Sequence, residues 1–225
     1  HDLKVMNMSF HMVFTGNPGT GKTTVARLVA KIYRKLGFLS KGQLIETDRS
    51  GLVAGYVGQT AGKVTDVVNS ALGGILFIDE AYALTSKEGN DFGQETVETL
   101  LKAMEDNRDD LIVIVAGYEN LMKDFINSNP GLASRFNRYF IFDDYTSGEL
   151  FDIFKSQCDK NMYTLDPGAD EFAVEYFKSM YENRSENFGN GRDVRNFFEN
   201  AVSAHDGKDF RLAVMLFYRK GDSYE

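Results

Sequence analysis

A chain of 225 residues, 43% hydrophobic and 26% charged, has the make-up of a soluble globular protein with one large domain, or one medium and one small. A net charge of −8 argues against a broad grip on nucleic acid, which rests on Lys/Arg-rich surfaces, and no apolar stretch approaches the length of a membrane span. The single cysteine, Cys158, excludes an internal disulfide and fits a reducing, cytoplasmic setting. The opening His1-Asp2-Leu3-Lys4 lacks the apolar core of a signal peptide, and a chain that does not start with Met reads as a fragment.

In chain order, Phe10 to Thr15 reads as a strand. A glycine-rich loop follows, then a helix from Thr24 to Leu36. There Val25, Leu28, Val29, Ile32, Tyr33 and Leu36 recur at helical spacing and predict one apolar face, with Gly37 as the stop. Leu44 to Thr47 is a short second strand, and Gly51 to Gly62 a glycine-spaced loop. Val64, Val67, Val68, Ala71 and Leu72 then restore the helical period up to Gly73-Gly74. Ile75 to Ile78 is apolar at every position, which suits a strand covered on both faces, and runs directly into Asp79-Glu80. Val97, Leu100, Leu101 and Met104 mark a helix and Leu111 to Ala116 a second fully apolar strand. Tyr118 to Asn127 is a helix stopped by Asn129-Pro130-Gly131, and Phe140 to Phe142 is the last strand. This alternation predicts an α/β fold, a doubly wound parallel sheet, over residues 1–144.

From Tyr145 the strand signal fades. Thr146 with Glu149 forms a capping-box pattern ahead of Leu150, Ile153 and Phe154. Phe172, Tyr176, Phe177 and Met180 mark a second helix; Val194, Phe197, Phe198, Ala201 and Val202 mark a third. A small all-α domain over 145–225 is expected, with its aromatics and Cys158 in the core. Phe210 to Tyr218 fits helix or strand equally.

Gly16-Asn17-Pro18-Gly19-Thr20-Gly21-Lys22-Thr23 lies between a strand and a helix, the setting that a phosphate-binding loop of the form GxxxxGK[ST] requires. Its glycines let backbone amides turn toward one point, and the helix N-terminus adds positive dipole there. Lys22 supplies a point charge for the terminal phosphates, and the Thr23 hydroxyl is a ligand for Mg2+. Asp79 and Glu80, at the carboxyl end of a buried strand, face the crevice where such folds bind ligands. Asp79 is suited to hold Mg2+, and Glu80 to orient and deprotonate the attacking water. His1, His11 and His205 have no ligand spacing, so Mg2+ is the one metal expected.

These features, a small helical domain and two placed arginines resemble an AAA+ ATPase of the P-loop NTPase fold. Within it they resemble the branch of red-type rubisco activase and the stage V sporulation protein K-like ATPases. The segments carrying this are Thr15 to Thr24, Gly55 to Thr60, Phe77 to Tyr82, Val115 to Tyr118 and Gly191 to Arg195. The resemblance implies that Gly131-Leu132-Ala133-Ser134-Arg135-Phe136 bears the arginine finger, with Arg135 reaching the ATP of a neighbouring subunit and Arg138 a second candidate. It implies that Arg192 is the sensor-2 arginine of a lid. It also implies that Tyr56-Val57-Gly58 is an aromatic pore loop that pulls a client polypeptide through a homo-oligomeric, hexameric ring. Where a sensor-1 polar residue is expected at the end of the fourth strand, the chain has Tyr118, with Asn120 just beyond. Two other readings share Lys22 and Asp79: a P-loop kinase or phosphotransferase, which needs neither Arg135 nor Arg192, and a nucleotide-gated oligomeric scaffold with little turnover.

Overall fold

The computed structural model describes residues 9–56, 58–85, 92–165, 168–207 and 218–219. Contacts divide them into two units. One holds the residues up to Gly16 and from Lys22 to Phe142; the other holds Asn17–Gly21 and the chain from Asp143 onward.

The first unit is built on five parallel strands, β1 (Met12–Gly16), β2 (Leu44–Thr47), β3 (Gly74–Ile78), β4 (Leu111–Gly117) and β5 (Arg138–Phe142), in the order β2-β3-β4-β1-β5. Every residue of β3 and β4 is buried. Alternate side chains feed two cores, as the two-residue strand period dictates: Val13, Leu76, Ile78, Val113 and Val115 on one face, and Met12, Phe14, Ile75, Phe77, Ile112 and Ile114 on the other. The connecting helices are α1 (Lys22–Lys35), α2 (Arg49–Leu52), α3 (Thr60–Ala71), α4 (Phe92–Asp106), α5 (Glu119–Asn127) and α6 (Pro130–Arg135), with a 3₁₀ turn at Ala81–Thr85. Among the described residues no helix is long and apolar enough to cross a membrane.

Three expectations change. On α1 the face toward the sheet is set by Ala26 and Ala30, which are buried, while Val25, Leu28, Ile32 and Leu36 are exposed, Leu36 to 63%. The helix packs through these small side chains with Val29 and Tyr33, of the predicted face, partly buried against the same core, and the exposed ones form the adjacent stripe. Asn129-Pro130-Gly131 does not simply end α5: the Asn129 side chain accepts from the Gly131 amide at 2.7 Å and caps α6, with Pro130 in the first turn where its missing N–H is harmless. The Gly51–Gly62 loop is shorter than expected, because Asp48 caps α2 by accepting from Gly51 at 3.0 Å and α3 starts at Thr60.

The second unit packs α7 (Ser147–Lys160), α8 (Ala169–Glu182) and α9 (Gly191–Gly207) around Phe154, whose ring centroid lies 5.5 Å from that of Phe177 and 5.3 Å from that of Phe197. The capping box at the start of α7 is formed, with Thr146 N donating to the Glu149 carboxylate at 2.8 Å and Glu149 N to the Thr146 hydroxyl at 3.4 Å. The Thr146 amide, and after it the Thr146 hydroxyl donating to the same carboxylate oxygen at 2.8 Å, hold the Glu149 carboxyl below its usual range. Cys158 is a core residue; burial pushes its thiol up to about 12, so it stays protonated and inert. The unit also carries a two-residue antiparallel ladder, β6 (Tyr163–Thr164) with β7 (Tyr218–Arg219), alongside its helices. Residues 210–217 of the ambiguous apolar stretch lie outside the described residues.

Candidate functional site

The loop between β1 and α1 is turned by three glycines with positive φ: Gly16 (+143°), Gly19 (+72°) and Gly21 (+90°). Two of them also tolerate no side chain. A Cβ on Gly16 would collide with the Phe142 carbonyl oxygen of the neighbouring strand, and one on Gly19 with the Gly189 carbonyl and, at 2.7 Å, the Arg192 amide nitrogen.

The carbonyls of this loop have partners. Gly16 O accepts from Lys22 Nζ at 2.8 Å, and Asn17 O from the Thr20 hydroxyl at 2.8 Å. Gly19 O accepts from Gly191 N at 3.2 Å, and Thr20 O from the Tyr145 hydroxyl at 3.1 Å. A trans peptide points its N–H opposite to its C=O, so the captured Gly16, Gly19 and Thr20 carbonyls fix the direction of the Asn17, Thr20 and Gly21 amides, while Pro18, after Asn17, has no N–H to direct. Thr23 and Thr24 stand in the first turn of α1, beside the positive end of its dipole.

Asp79 and Glu80 directly follow β3. The Asp79 amide donates to Thr47 O at 2.9 Å, extending the β2–β3 ladder, and the Glu80 amide donates to Asp79 Oδ1 at 3.1 Å. Glu80 has φ +49°, a left-handed conformation uncommon for a residue with a Cβ and often found where geometry serves a function. In register Ile78 pairs with Val115 of β4, and Val115 with Val13 of β1. The carboxylate pair, Tyr118 after β4, and Gly16 at the end of β1 therefore sit on one edge of a parallel sheet. Both carboxylates are exposed.

Tyr118 precedes α5, with its ring centroid 6.2 Å from that of Tyr82; Asn120 is exposed in the first turn of α5. Burial, reinforced by Glu80 and then Tyr118 and Asp79, raises the Tyr82 phenol to about 12, so it stays a neutral donor beside the carboxylates. Nothing in the spacing singles out Tyr82; only its place two residues after Glu80 points to it.

The arginines have distinct surroundings. Arg135, at the end of α6, pairs with Glu105 on α4 at 3.1 Å, its side chain 27% exposed, and its charge with burial lowers His11 to about 4. Burial is the larger cause. His11 is neutral, its Nδ1 accepting from Val113 N at 2.9 Å. Arg138 donates from Nε to Ser9 O at 3.1 Å and lies over the Phe10 ring, 5.2 Å from its centroid. Arg192 is exposed at the start of α9, its backbone against Gly19 of the loop. Tyr56 is 74% exposed between glycines whose surroundings are open, with Gly58 at φ +80°; Val57 lies outside the described residues.

One cluster has no counterpart in the sequence motifs. Asp144 Oδ1 accepts from Asn17 Nδ2 at 2.9 Å and from Asn190 Nδ2 at 2.7 Å, and its Oδ2 lies 3.6 Å from Arg184 Nε. Asn190 is fully buried at φ +51°, and its Oδ1 accepts from Tyr145 N at 2.8 Å.

Thr23 and Asp79 offer hydroxyl and carboxylate oxygen, a donor set that fits Mg2+ held largely by phosphate and water oxygens. Among the described residues there is no group of three or more His, Cys, Asp or Glu arranged to cage a metal by themselves.

Comparison with known proteins matches residues 12–144 to the family model described as "ATPase family associated with various cellular activities (AAA)" and residues 146–213 to one described as "AAA lid domain". Stage V sporulation protein K of Bacillus subtilis is 46% identical over 221 residues, 98% of this chain and 68% of its own. The chloroplastic ribulose bisphosphate carboxylase/oxygenase activase of Cyanidioschyzon merolae is 46% identical over 200 residues, 88% of this chain and 68% of its own. Protein CbbX of Cereibacter sphaeroides is 45% identical over 194 residues, 86% of this chain and 62% of its own. The chain thus spans about two thirds of each relative. Among solved structures, the FIGL-1 AAA domain in complex with ADP shares the fold, with TM-score 0.61 at 18% identity over 90% of this chain and 64% of that one.

Proposed function

Because the chain belongs to the AAA family of ATPases, we propose that it is the motor domain of a ring-forming, hexameric protein remodeller that spends ATP to pull on a client polypeptide. The observation carrying the ATPase chemistry is the shared sheet edge: β1 ends at Gly16, and two strands away Asp79-Glu80 directly follow β3.

In this reading the loop from Gly16 to Thr24 cradles the phosphates, and Lys22 exchanges its bond to Gly16 O for the terminal phosphate oxygens. Thr23 and Asp79 would hold Mg2+, which would supply neutralising charge to the phosphates. Glu80 orients a water and takes its proton as the oxygen bonds to the γ-phosphorus and the bond to the bridging oxygen breaks, releasing ADP. Tyr118 and Asn120 line the same edge as candidates to position that water, with Tyr82 a neutral donor beside them. Arg135 of the neighbouring subunit stabilises charge on the transferring group, after leaving its own Glu105. Arg192, whose backbone lies against Gly19 of the loop, is the sensor-2 candidate. The exposed Tyr56, flanked by open glycines, grips the client; an aromatic face binds extended chain whatever its sequence. A relative named as an activase of another enzyme supports a protein client, and the chemistry of this chain does not specify which.

The ring reading predicts that ATP turnover per subunit rises steeply with protein concentration, because each site needs a neighbour's arginine. Phosphate release followed over a hundredfold range of concentration checks it. A flat line would leave a self-sufficient monomer.

A further inference from the structure

A loop binds polyphosphate through backbone N–H groups only if its peptides are held with the carbonyls turned away. In this chain part of that work falls to residues outside the motif. The Tyr145 hydroxyl takes the Thr20 carbonyl at 3.1 Å, which sets the direction of the Gly21 amide. The Gly191 amide takes the Gly19 carbonyl at 3.2 Å and sets that of Thr20. Both donors are themselves located by one buried residue. Asn190 immediately precedes Gly191, and its Oδ1 accepts from the Tyr145 amide at 2.8 Å. Its Nδ2 donates to Asp144 Oδ1 at 2.7 Å and to Phe188 O at 3.1 Å. The same Asp144 oxygen receives Asn17 Nδ2 from the loop at 2.9 Å, and Arg184 stands 3.6 Å from the other oxygen. A fully buried asparagine with both ends of its amide engaged, in a left-handed conformation that asparagine tolerates better than most residues, is a rigid reference point.

We propose that Tyr145, Asp144 and Asn190 are positioning residues for the phosphate loop: they fix its Gly19 and Thr20 carbonyls and the Asn17 side chain, and so set nucleotide affinity. The inference rests on the loop being the polyphosphate site. None of the three is a proton-transfer group for the reaction, and a cradle aimed at the phosphates serves ground and transition states alike. Their loss therefore removes uniform binding, which raises KM and leaves kcat in place.

The test uses the whole chain. Tyr145→Phe keeps the ring and deletes the one hydroxyl; from the worth of a single hydrogen bond it is expected to weaken ADP binding about three- to tenfold and to raise KM for ATP in parallel. Asn190→Gly keeps the left-handed backbone and deletes the amide, and is expected to weaken ADP binding at least as much. Thermal unfolding without nucleotide identifies a variant that has lost its fold, and Tyr145→Phe decides the matter if Asn190→Gly has. Unchanged ADP affinity and KM in Tyr145→Phe, or a fall in kcat with affinity intact, overturns the inference alone. A parent chain that binds no ADP, or a Lys22→Ala variant that binds it as well as the parent, overturns the polyphosphate site itself and the inference with it.

Discussion

Glu80→Gln lowers ATP turnover by about 10²–10⁴-fold while nucleotide affinity stays within about twofold of the parent, the range expected when a general base is replaced by its amide. The substitution is nearly isosteric, and the bond from the residue 80 amide to Asp79 Oδ1 belongs to the backbone, so the left-handed turn at the end of β3 is retained. What is lost is the ability to accept a proton from water. Asp79, Thr23 and the loop, the proposed nucleotide contacts, are unchanged. Steady-state phosphate release and an ADP titration on the same preparation check both halves. A matching collapse of affinity would move Glu80 from chemistry to binding.

Arg135→Ala is expected to lower turnover by about 10³-fold, the lower end of what an arginine delivered in trans contributes. The alternative is that Arg135 merely holds α6 to α4 through Glu105. That pair is at the surface, with 27% and 55% of the two side chains exposed, and exposed pairs contribute at most about 1 kcal/mol. A melting temperature near that of the parent, beside a thousandfold loss of turnover, therefore separates the readings. Mixing adds direction. An Arg135→Ala subunit has an intact pocket, and a Lys22→Ala subunit has an intact arginine, so combining two inactive proteins restores part of the activity if the residue acts across an interface. No recovery on mixing would confine Arg135 to its own subunit.

The parts of the site legible in the sequence are those in which chemistry demands a local pattern. A cradle of amides needs glycines at set intervals before Lys22, and a carboxylate at the crevice needs an apolar strand ending in acid, as at Phe77-Ile78-Asp79-Glu80. The parallel sheet followed from strands apolar at every position, β3 and β4 above all. Periodicity misled where small and large residues share a helix. On α1 the alanines Ala26 and Ala30 meet the sheet and the larger Leu28 and Ile32 do not; on α8 Ala169 and Ala173 are buried while Phe172 and Tyr176 are exposed. A hydrophobic stripe reports where apolar residues recur, and close packing selects the face with the least bulk. Pro130 predicts a stop because proline breaks helices, yet in a first turn it starts one. The Asp144–Asn190 pair could not be read at all: its members are 46 positions apart, and asparagine carries no motif of its own.

The backbone at Glu80 bears on how this protein answers laboratory evolution. Holding a residue with a Cβ at φ +49° costs about 1–2 kcal/mol that glycine would not incur. Selection for heat resistance alone thus favours discarding the very carboxylate assigned to hydrolysis, and a library screened only for survival at high temperature will enrich inert, sturdier chains.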